Sequence, residues 1–137
     1  MRDGPMDISV REIRTALREH NYRHANEIEL HGGIEDVLTG LGLTPRREVR
    51  LAGPDRIDFM VDLPRTTGPA LRLGIEAKIA GRSADVWRQL TRYAGHDQVD
   101  ELMLVTTVYR QAIQLAQMGQ TVAGKPLTVT LINRGQF

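Results

Sequence analysis

Two acidic residues and a lysine occupy positions from which neighbouring strands could bring them together. Asp58 lies in the segment RIDFMVD, and Glu76 and Lys78 lie in LRLGIEAK. Side chains alternate along a strand, so Glu76 and Lys78 share the face opposite the apolar residues of their segment. If the two segments form a hairpin centred near Thr67, Asp58 lies directly opposite Glu76. Directly opposed residues have Cβ atoms roughly 4.5–5.5 Å apart.

Two carboxylates at that separation repel each other unless one is protonated or a cation lies between them. A hard divalent cation such as Mg²⁺ or Mn²⁺ is the natural partner, because Mg²⁺ is commonly held by one or two carboxylates and substrate phosphate. Lys78 could hold an attacking water or stabilise developing negative charge, and Gly74 would leave space for a metal or a backbone to approach. The alternative is an ordinary exposed strand face, with Asp58–Lys78 and Arg56–Glu76 as weak ion pairs.

A further carboxylate, Glu27, lies on the apolar stripe of a predicted helix, three residues before Leu30 and seven before Ile34. A carboxylate at the buried end of such a stripe is costly unless it is paired or bound to a metal. The alternative is that Glu27 lies near the helix start, partly exposed, where it favours the helix dipole. Periodicity leaves both interpretations open.

A basic helix follows the Glu76 strand. Its arginines are Arg82, Arg88 and Arg92, with only Asp85 opposed to them. Arginine clusters of this kind suit bidentate contact with phosphate, and Arg56 on the Asp58 strand would add to them. The alternative is a solvated helix face.

The elements that must position these residues follow the order α-α-β-β-β-α-β-α-β. We predict helices over about 9–20 and 25–41, strands over about 47–52, 56–62 and 71–78, a helix over about 83–94, a strand within ELMLVTT, a helix over about 108–118 and a strand over 126–132. Three strands in a meander followed by a strand-helix-strand crossover predict an α/β fold with a mixed sheet and helices on both faces.

Length and composition limit the classes to which this protein can belong. The 137 residues suit one domain over 1–137, and 41% hydrophobic residues suffice for a core. The absence of cysteine excludes disulfides, thiolate zinc sites and thiol chemistry, and favours a cytoplasmic location. No run of about 18 apolar residues is present, so we expect no membrane span. The net charge of +1 leaves room for a local basic patch.

We assign no site role to the four histidines, Trp87 or Tyr109. His20, His24, His31 and His96 do not offer the three or four converging ligands of a zinc site. We interpret Trp87 and Tyr109 as packing residues, and His96 as a residue of a surface loop.

The ordered set of residues resembles the PD-(D/E)XK nuclease superfamily. The resemblance extends from Asn26 to Thr107 and rests on these elements: Glu27, Asp58 in RIDF, Glu76-Ala77-Lys78 in IEAK, Gln89 and Tyr93 in RQLTRYA, and the strand ELMLVTT. Gln89 and Tyr93 resemble the QxxxY feature of the branch that is similar to RecB nuclease domains and lambda exonuclease.

The resemblance implies a restriction-endonuclease-like αβββαβ core, with an additional N-terminal helix and a C-terminal helix and strand. It also implies roles for the residues. Asp58, Glu76 and the main-chain carbonyl of Ala77 would bind Mg²⁺ or Mn²⁺, and Lys78 would position or activate water. Glu27 would complete the metal site, with Glu29 as its rival, and Gln89 and Tyr93 would orient substrate or water.

Three features depart from the family pattern. Ile57 precedes Asp58 where the family has proline, and a literal Pro54-Asp55 lies upstream in a predicted turn, so we prefer Asp58. His31 lies where similar sequences have glutamine.

The implied function is metal-dependent hydrolysis of DNA phosphodiester bonds in repair, recombination or phage DNA processing. The alternatives are a non-cleaving nucleic-acid-binding module, a partner-dependent subunit, or an RNase. We expect a homodimer, or a protein partner that confers specificity.

Overall fold

The computed structural model describes residues 7–22 and 26–132. Over this part of the chain it is an α/β fold with a mixed six-stranded sheet and four helices. The elements are α1 (Val10–Glu19), α2 (Glu27–Gly40), β1 (Arg46–Arg50), β2 (Arg56–Leu63), β3 (Leu71–Lys78), α3 (Ser83–Ala94), β4 (Glu101–Thr106), α4 (Tyr109–Met118), β5 (Thr121–Val122) and β6 (Lys125–Leu131).

The sheet has the strand order β1-β2-β3-β4-β6-β5. β1, β2 and β3 pair antiparallel, whereas β3, β4 and β6 pair parallel. The mixed sheet and the element order predicted from the sequence are therefore confirmed, apart from the short strand β5. Its two residues, Thr121 and Val122, form an antiparallel pair with the start of β6.

A separate apolar core covers each face of the sheet. One contains Ile13 of α1 and Ile34 of α2 packed against Phe59 and Ile75. The other contains Leu90 of α3 and Leu115 of α4 packed against Leu104. Because helices cover both faces, the central strands are apolar on both sides, as parallel strands in α/β proteins generally are.

Polar side chains cap the N-terminal ends of α1 and α2. The Ser9 hydroxyl accepts a hydrogen bond from the N–H of Glu12, and the Asn26 side chain accepts one from the N–H of Glu29. α2 thus begins at Glu27, and the predicted start at residue 25 falls outside the described residues. Ser83 does not cap α3, since it is the first residue of the helix and Arg82 precedes it.

The register of β2 and β3 matches the predicted hairpin. Phe59 pairs with Ile75 and Val61 with Leu73, which places Asp58 opposite Glu76. Alternation along RIDFMVD predicts that Ile57, Phe59 and Val61 share one face of β2. This prediction is wrong at Ile57, which packs in the core beneath α3 rather than with Phe59. Both faces accept apolar side chains here, so alternation alone could not assign it.

No helix among residues 7–22 and 26–132 is long and apolar enough to cross a membrane.

Candidate active site

Asp58, Glu76 and Lys78 meet where β2 begins and β3 ends; we call this group the acidic junction. The N–H of Asp58 donates to Glu76 Oε1 at 3.2 Å, and the N–H of Ala77 donates to Asp58 Oδ2 at 2.8 Å. Each carboxylate therefore accepts a hydrogen bond from the backbone of the other strand. The two strands hold both acids at one point, as the predicted pairing requires.

Burial sets the electrostatics of the acidic junction. Glu76 is only 3% exposed. Burial, together with the adjacent charge of Asp58, raises the pKa of Glu76 to about 8. Lys78 opposes this rise, because its Nζ lies 3.3 Å from Glu76 Oε2. The predicted alternative of an exposed strand face with Asp58–Lys78 and Arg56–Glu76 pairs is wrong, since Arg56 pairs with Glu48 instead.

His31 is the residue that the sequence interpretation missed. Its Nε2 is buried, has no hydrogen-bond partner among residues 7–22 and 26–132, and lies 3.5 Å from Asp58 Oδ2. The ring packs edge-on against Phe59, with centroids 5.6 Å apart, which fixes its direction. Asp58 raises the pKa of His31 against the effect of burial. Burial would raise the pKa of Asp58 itself, but His31 and the Ala77 N–H hold it below its usual value.

The signal for His31 lay in its spacing from Glu27, one turn along α2. That spacing did not indicate where the helix would dock on the sheet. His24 lies outside the described residues.

Gln89 and Tyr93 form a chain of hydrogen bonds from α3 to β2. Gln89 Nε2 donates to the Tyr93 hydroxyl at 2.7 Å, and that hydroxyl donates to the Arg56 carbonyl at 2.8 Å. Tyr93 is buried, and burial followed by the charge of Glu76 raises its pKa above its usual value, so the hydroxyl stays a donor. The pair therefore holds the backbone two residues before Asp58.

A cleft of about 340 Å³ opens beside the acidic junction on the α3 side; we call it the arginine cleft. Its lining includes Lys78, Gln89 and the three predicted phosphate contacts of α3: Arg82, Arg88 and Arg92. Arg82 and Arg88 both pair with Asp85, whereas Arg92 pairs with Asp55 at 3.3 Å. The structure thus brings the lysine and these arginines together.

A second group of predicted residues lines a cleft of about 350 Å³ on the α2 side; we call it the histidine cleft. It contains Glu27, Ile28, His31, Arg47, Glu48, Arg56 and Asp58. The Arg56 side chain therefore lines a different cleft from the α3 arginines. Glu27 is exposed in the first turn of α2, which agrees with the helix-start interpretation and not with the buried one that periodicity had left open. It still faces the same cleft as Asp58, whereas its rival Glu29 does not line it.

Other sequence interpretations need correction. Gly74 does not leave space for a metal, because a Cβ atom there would lie 2.6 Å from Ile57 Cδ1. Tyr109 is not a packing residue, since it is 69% exposed, whereas Trp87 does pack against the core beneath α3. His96 is half-buried, with Nε2 2.9 Å from Asp55 Oδ2. Lys125 Nζ donates to the His96 carbonyl at 2.8 Å.

Asp58, rather than Asp55, meets the Glu76 strand. Asp55 is engaged by His96 and Arg92, and these contacts hold the pKa of its carboxyl below its usual value. This supports the choice of Asp58 over the literal Pro-Asp pair.

The acidic junction has the donor chemistry that a hard divalent cation requires. Two carboxylates share one partly buried point, and burial, followed by the charge of Asp58, raises the pKa of Glu76 despite the nearby Lys78 ammonium. Among the described residues, no group of three or more His, Cys, Asp or Glu side chains is arranged as a metal site. Mg²⁺ generally keeps several waters and uses only one or two carboxylates, so the residues present fit it.

Comparison of the chain with models of protein families, with curated proteins and with solved structures gave no match.

Proposed function

We propose that this protein is a Mg²⁺- or Mn²⁺-dependent nuclease that hydrolyses DNA phosphodiester bonds, with a core of the restriction-endonuclease-like αβββαβ type. The observation that supports this best is the acidic junction. Two carboxylates from adjacent strands converge beside a lysine, and a cleft containing three arginines opens next to them. Metal-dependent hydrolysis of a phosphodiester requires this combination, because the site must bind both the cation and the phosphate of the substrate.

The residues have distinct roles in this proposal. Asp58, Glu76 and the Ala77 carbonyl would hold the divalent cation, which supplies Lewis-acid stabilisation of phosphoryl charge when bound. Lys78 holds the attacking water and places positive charge near the reacting phosphoryl group. The oxygen of water bonds to phosphorus as one ester bond breaks, giving a phosphate monoester and an alcohol.

Neighbouring side chains position these groups. His31 packs against Phe59 and directs its Nε2 toward Asp58, which restricts that carboxylate. Tyr93 and Gln89 hold the start of β2 through the Arg56 carbonyl. We assign this pair to positioning of Asp58, in place of the direct role toward substrate or water that the resemblance implied. Glu27 faces the same cleft as Asp58 and would act toward the metal through water.

A second candidate is a nucleic-acid-binding module that does not cleave. The observation in its favour is that the acidic junction is already paired internally: Lys78 with Glu76, and His31 with Asp58. Binding through the arginine cleft requires neither a metal nor the carboxylates.

Cleavage assays separate the candidates. Linear duplex, supercoiled circular, branched and single-stranded DNA, and RNA, would be incubated with Mg²⁺ or Mn²⁺, using wild-type protein, Glu76→Gln and Lys78→Met. We expect metal-dependent cleavage of DNA that falls by about 10²–10³-fold in both variants, because each removes charge stabilisation at the reacting group. Cleavage of RNA alone would support the RNase alternative.

Asp62→Asn is the matched control. Asp62 lies on the same strand as Asp58, but its side chain is 57% exposed and faces Arg46 rather than the acidic junction. We expect this variant to cleave as the wild type does. Equal cleavage by the wild type and Glu76→Gln would contradict the proposal, and binding without cleavage by the wild type would favour the module.

A further inference from the structure

A second cleft adjoins the arginine cleft between the N-terminal ends of α3 and α4. Its volume is about 210 Å³, and it shares Gly81 and Arg82 with the arginine cleft. Its other lining residues include Ser83, Arg110, Gln111 and Gln114. Because the arginine cleft reaches Lys78, the two clefts form one path that leads away from the acidic junction.

The second cleft carries positive charge that its own lining does not neutralise. Arg82 has an 83% exposed side chain, and its nearest carboxylate, Asp85, lies 3.8 Å away and outside the lining. Arg110 is exposed and takes part in none of the ion pairs among the described residues. Within the part of the chain that the structure describes, no acidic residue lines this cleft, and α4 contains none. The local potential therefore favours an anion.

Hydrogen bonds made by side chains of α4 hold the walls of the second cleft in place. The Gln111 amide donates to the carbonyls of Ala80 and Gly81, both at 2.8 Å, and its Oε1 accepts from the Thr106 hydroxyl. Across the cleft, the Ser83 hydroxyl donates to Gln114 Oε1 and so joins α3 to α4. Gln111 is 1% exposed, so this wall of the second cleft is fixed before any ligand binds.

We propose that the second cleft binds a backbone phosphate of a nucleic-acid strand whose scissile phosphate lies at the acidic junction. This inference rests on the proposed function. Arg82 and Arg110 supply bidentate donors to that phosphate. The substrate is accordingly a strand of several nucleotides, since a mononucleotide would fill only the arginine cleft.

Binding is measured without metal, so that cleavage does not interfere. Fluorescence anisotropy with EDTA present would follow a labelled oligothymidylate of about twelve nucleotides and a labelled dinucleotide. We expect Arg110→Gln to weaken binding of the longer strand about 5- to 10-fold and to reduce the slope of log affinity against log salt by about 0.7, the value for one lost phosphate contact on a single strand. Binding of the dinucleotide should not change.

Arg11→Gln is the matched control, because Arg11 is an exposed arginine of α1 on the opposite face of the sheet. It removes the same charge, and we expect wild-type binding. If Arg11→Gln and Arg110→Gln weaken binding of the longer strand equally, the loss of affinity reflects net charge alone, and the inference is overturned. An Arg110→Gln variant that binds the longer strand with wild-type affinity and salt slope would also overturn it.

Hydrolysis of bis(4-nitrophenyl) phosphate with Mn²⁺ distinguishes this failure from failure of the proposed function. That small diester fills only the arginine cleft, so wild type and Arg110→Gln should hydrolyse it equally, while Arg110→Gln raises KM for the oligonucleotide. If wild type cleaves neither substrate but needs Arg110 to bind the longer strand, the second cleft is supported and the nuclease proposal fails. If wild type cleaves both and Arg110→Gln does not change KM, the second cleft alone is refuted.

Discussion

Replacement of Glu76 by glutamine is expected to stabilise the metal-free protein at neutral pH while it removes cleavage. The pKa of Glu76 rises from 4.5 to about 8 in the folded chain, chiefly through burial. Between these two values the folded state keeps a proton that the unfolded state has released. The free energy of unfolding of the wild type therefore falls as pH rises through this range.

The size of the effect follows from the pKa shift. Each pH unit between the two pKa values lowers the free energy of unfolding by about 1.4 kcal/mol. The total loss of stability from pH 4.5 to pH 7 is therefore about 3 kcal/mol. The glutamine keeps a side-chain oxygen that accepts from the Asp58 N–H. Its NH₂ group, however, replaces the Glu76 Oε2 that lies 3.3 Å from the Lys78 ammonium in the wild type. This donor–donor contact offsets part of the gain, so we expect a net stabilisation of about 1–3 kcal/mol at pH 7.

Urea unfolding with EDTA at pH 5 and pH 8 measures this prediction. The stability of the wild type should fall between the two pH values by more than that of Glu76→Gln, and the difference isolates the Glu76 carboxyl from other titrating groups. Adding Mg²⁺ at pH 8 should stabilise the wild type by mass action and leave Glu76→Gln unchanged. Parallel pH profiles for the wild type and Glu76→Gln would refute the reasoning. Asp62→Asn serves as the control and should follow the wild type.

The other predictions concern positioning, packing and assembly. Tyr93→Phe removes the hydroxyl that donates to the Arg56 carbonyl; it should cost about 1–2 kcal/mol in urea unfolding and lower kcat without changing DNA affinity. Gly33→Ala should destabilise the fold by about 1–3 kcal/mol, because its Cβ would lie 2.6 Å from the Tyr22 ring. At the neighbouring Gly32, an added Cβ would meet no described residue within 4 Å, so Gly32→Ala should stabilise α2 by about 0.5–1 kcal/mol. Destabilisation by both substitutions would contradict the packing argument. Light scattering should give twice the 15.4 kDa chain mass if the expected homodimer forms, and the chain mass itself would refute it.

Local patterns predicted the part of the site that depends on neighbouring strands. Alternation in both strands and a hairpin centred near Thr67 together specify the register of β2 and β3, so the pairing of Asp58 with Glu76 followed from the sequence. The same alternation failed at Ile57, because it assumes one apolar face and this sheet has two. β5 was missed because two residues carry no periodicity.

Contacts that depend on how helices dock could not be predicted from the sequence. His31 approaches Asp58 only because α2 packs across Phe59, a contact between residues far apart in the chain. Glu27 lay on the predicted apolar stripe, but it is the first residue of α2. At that end of the helix the stripe does not pack on the sheet. The chain of contacts from Gln89 through Tyr93 to Arg56 likewise requires the packing of α3 on β2.

The two lysines of this arginine-rich chain make its chemistry unusually easy to observe. Reductive methylation with ¹³C-formaldehyde would label Lys78 and Lys125 and no other side-chain amine. The two resonances should be well separated, because one ammonium lies beside the Glu76 carboxylate and the other donates to a backbone carbonyl. The Lys78 signal would report titration, metal and ligand at the acidic junction, with Lys125 as an internal reference in the same molecule.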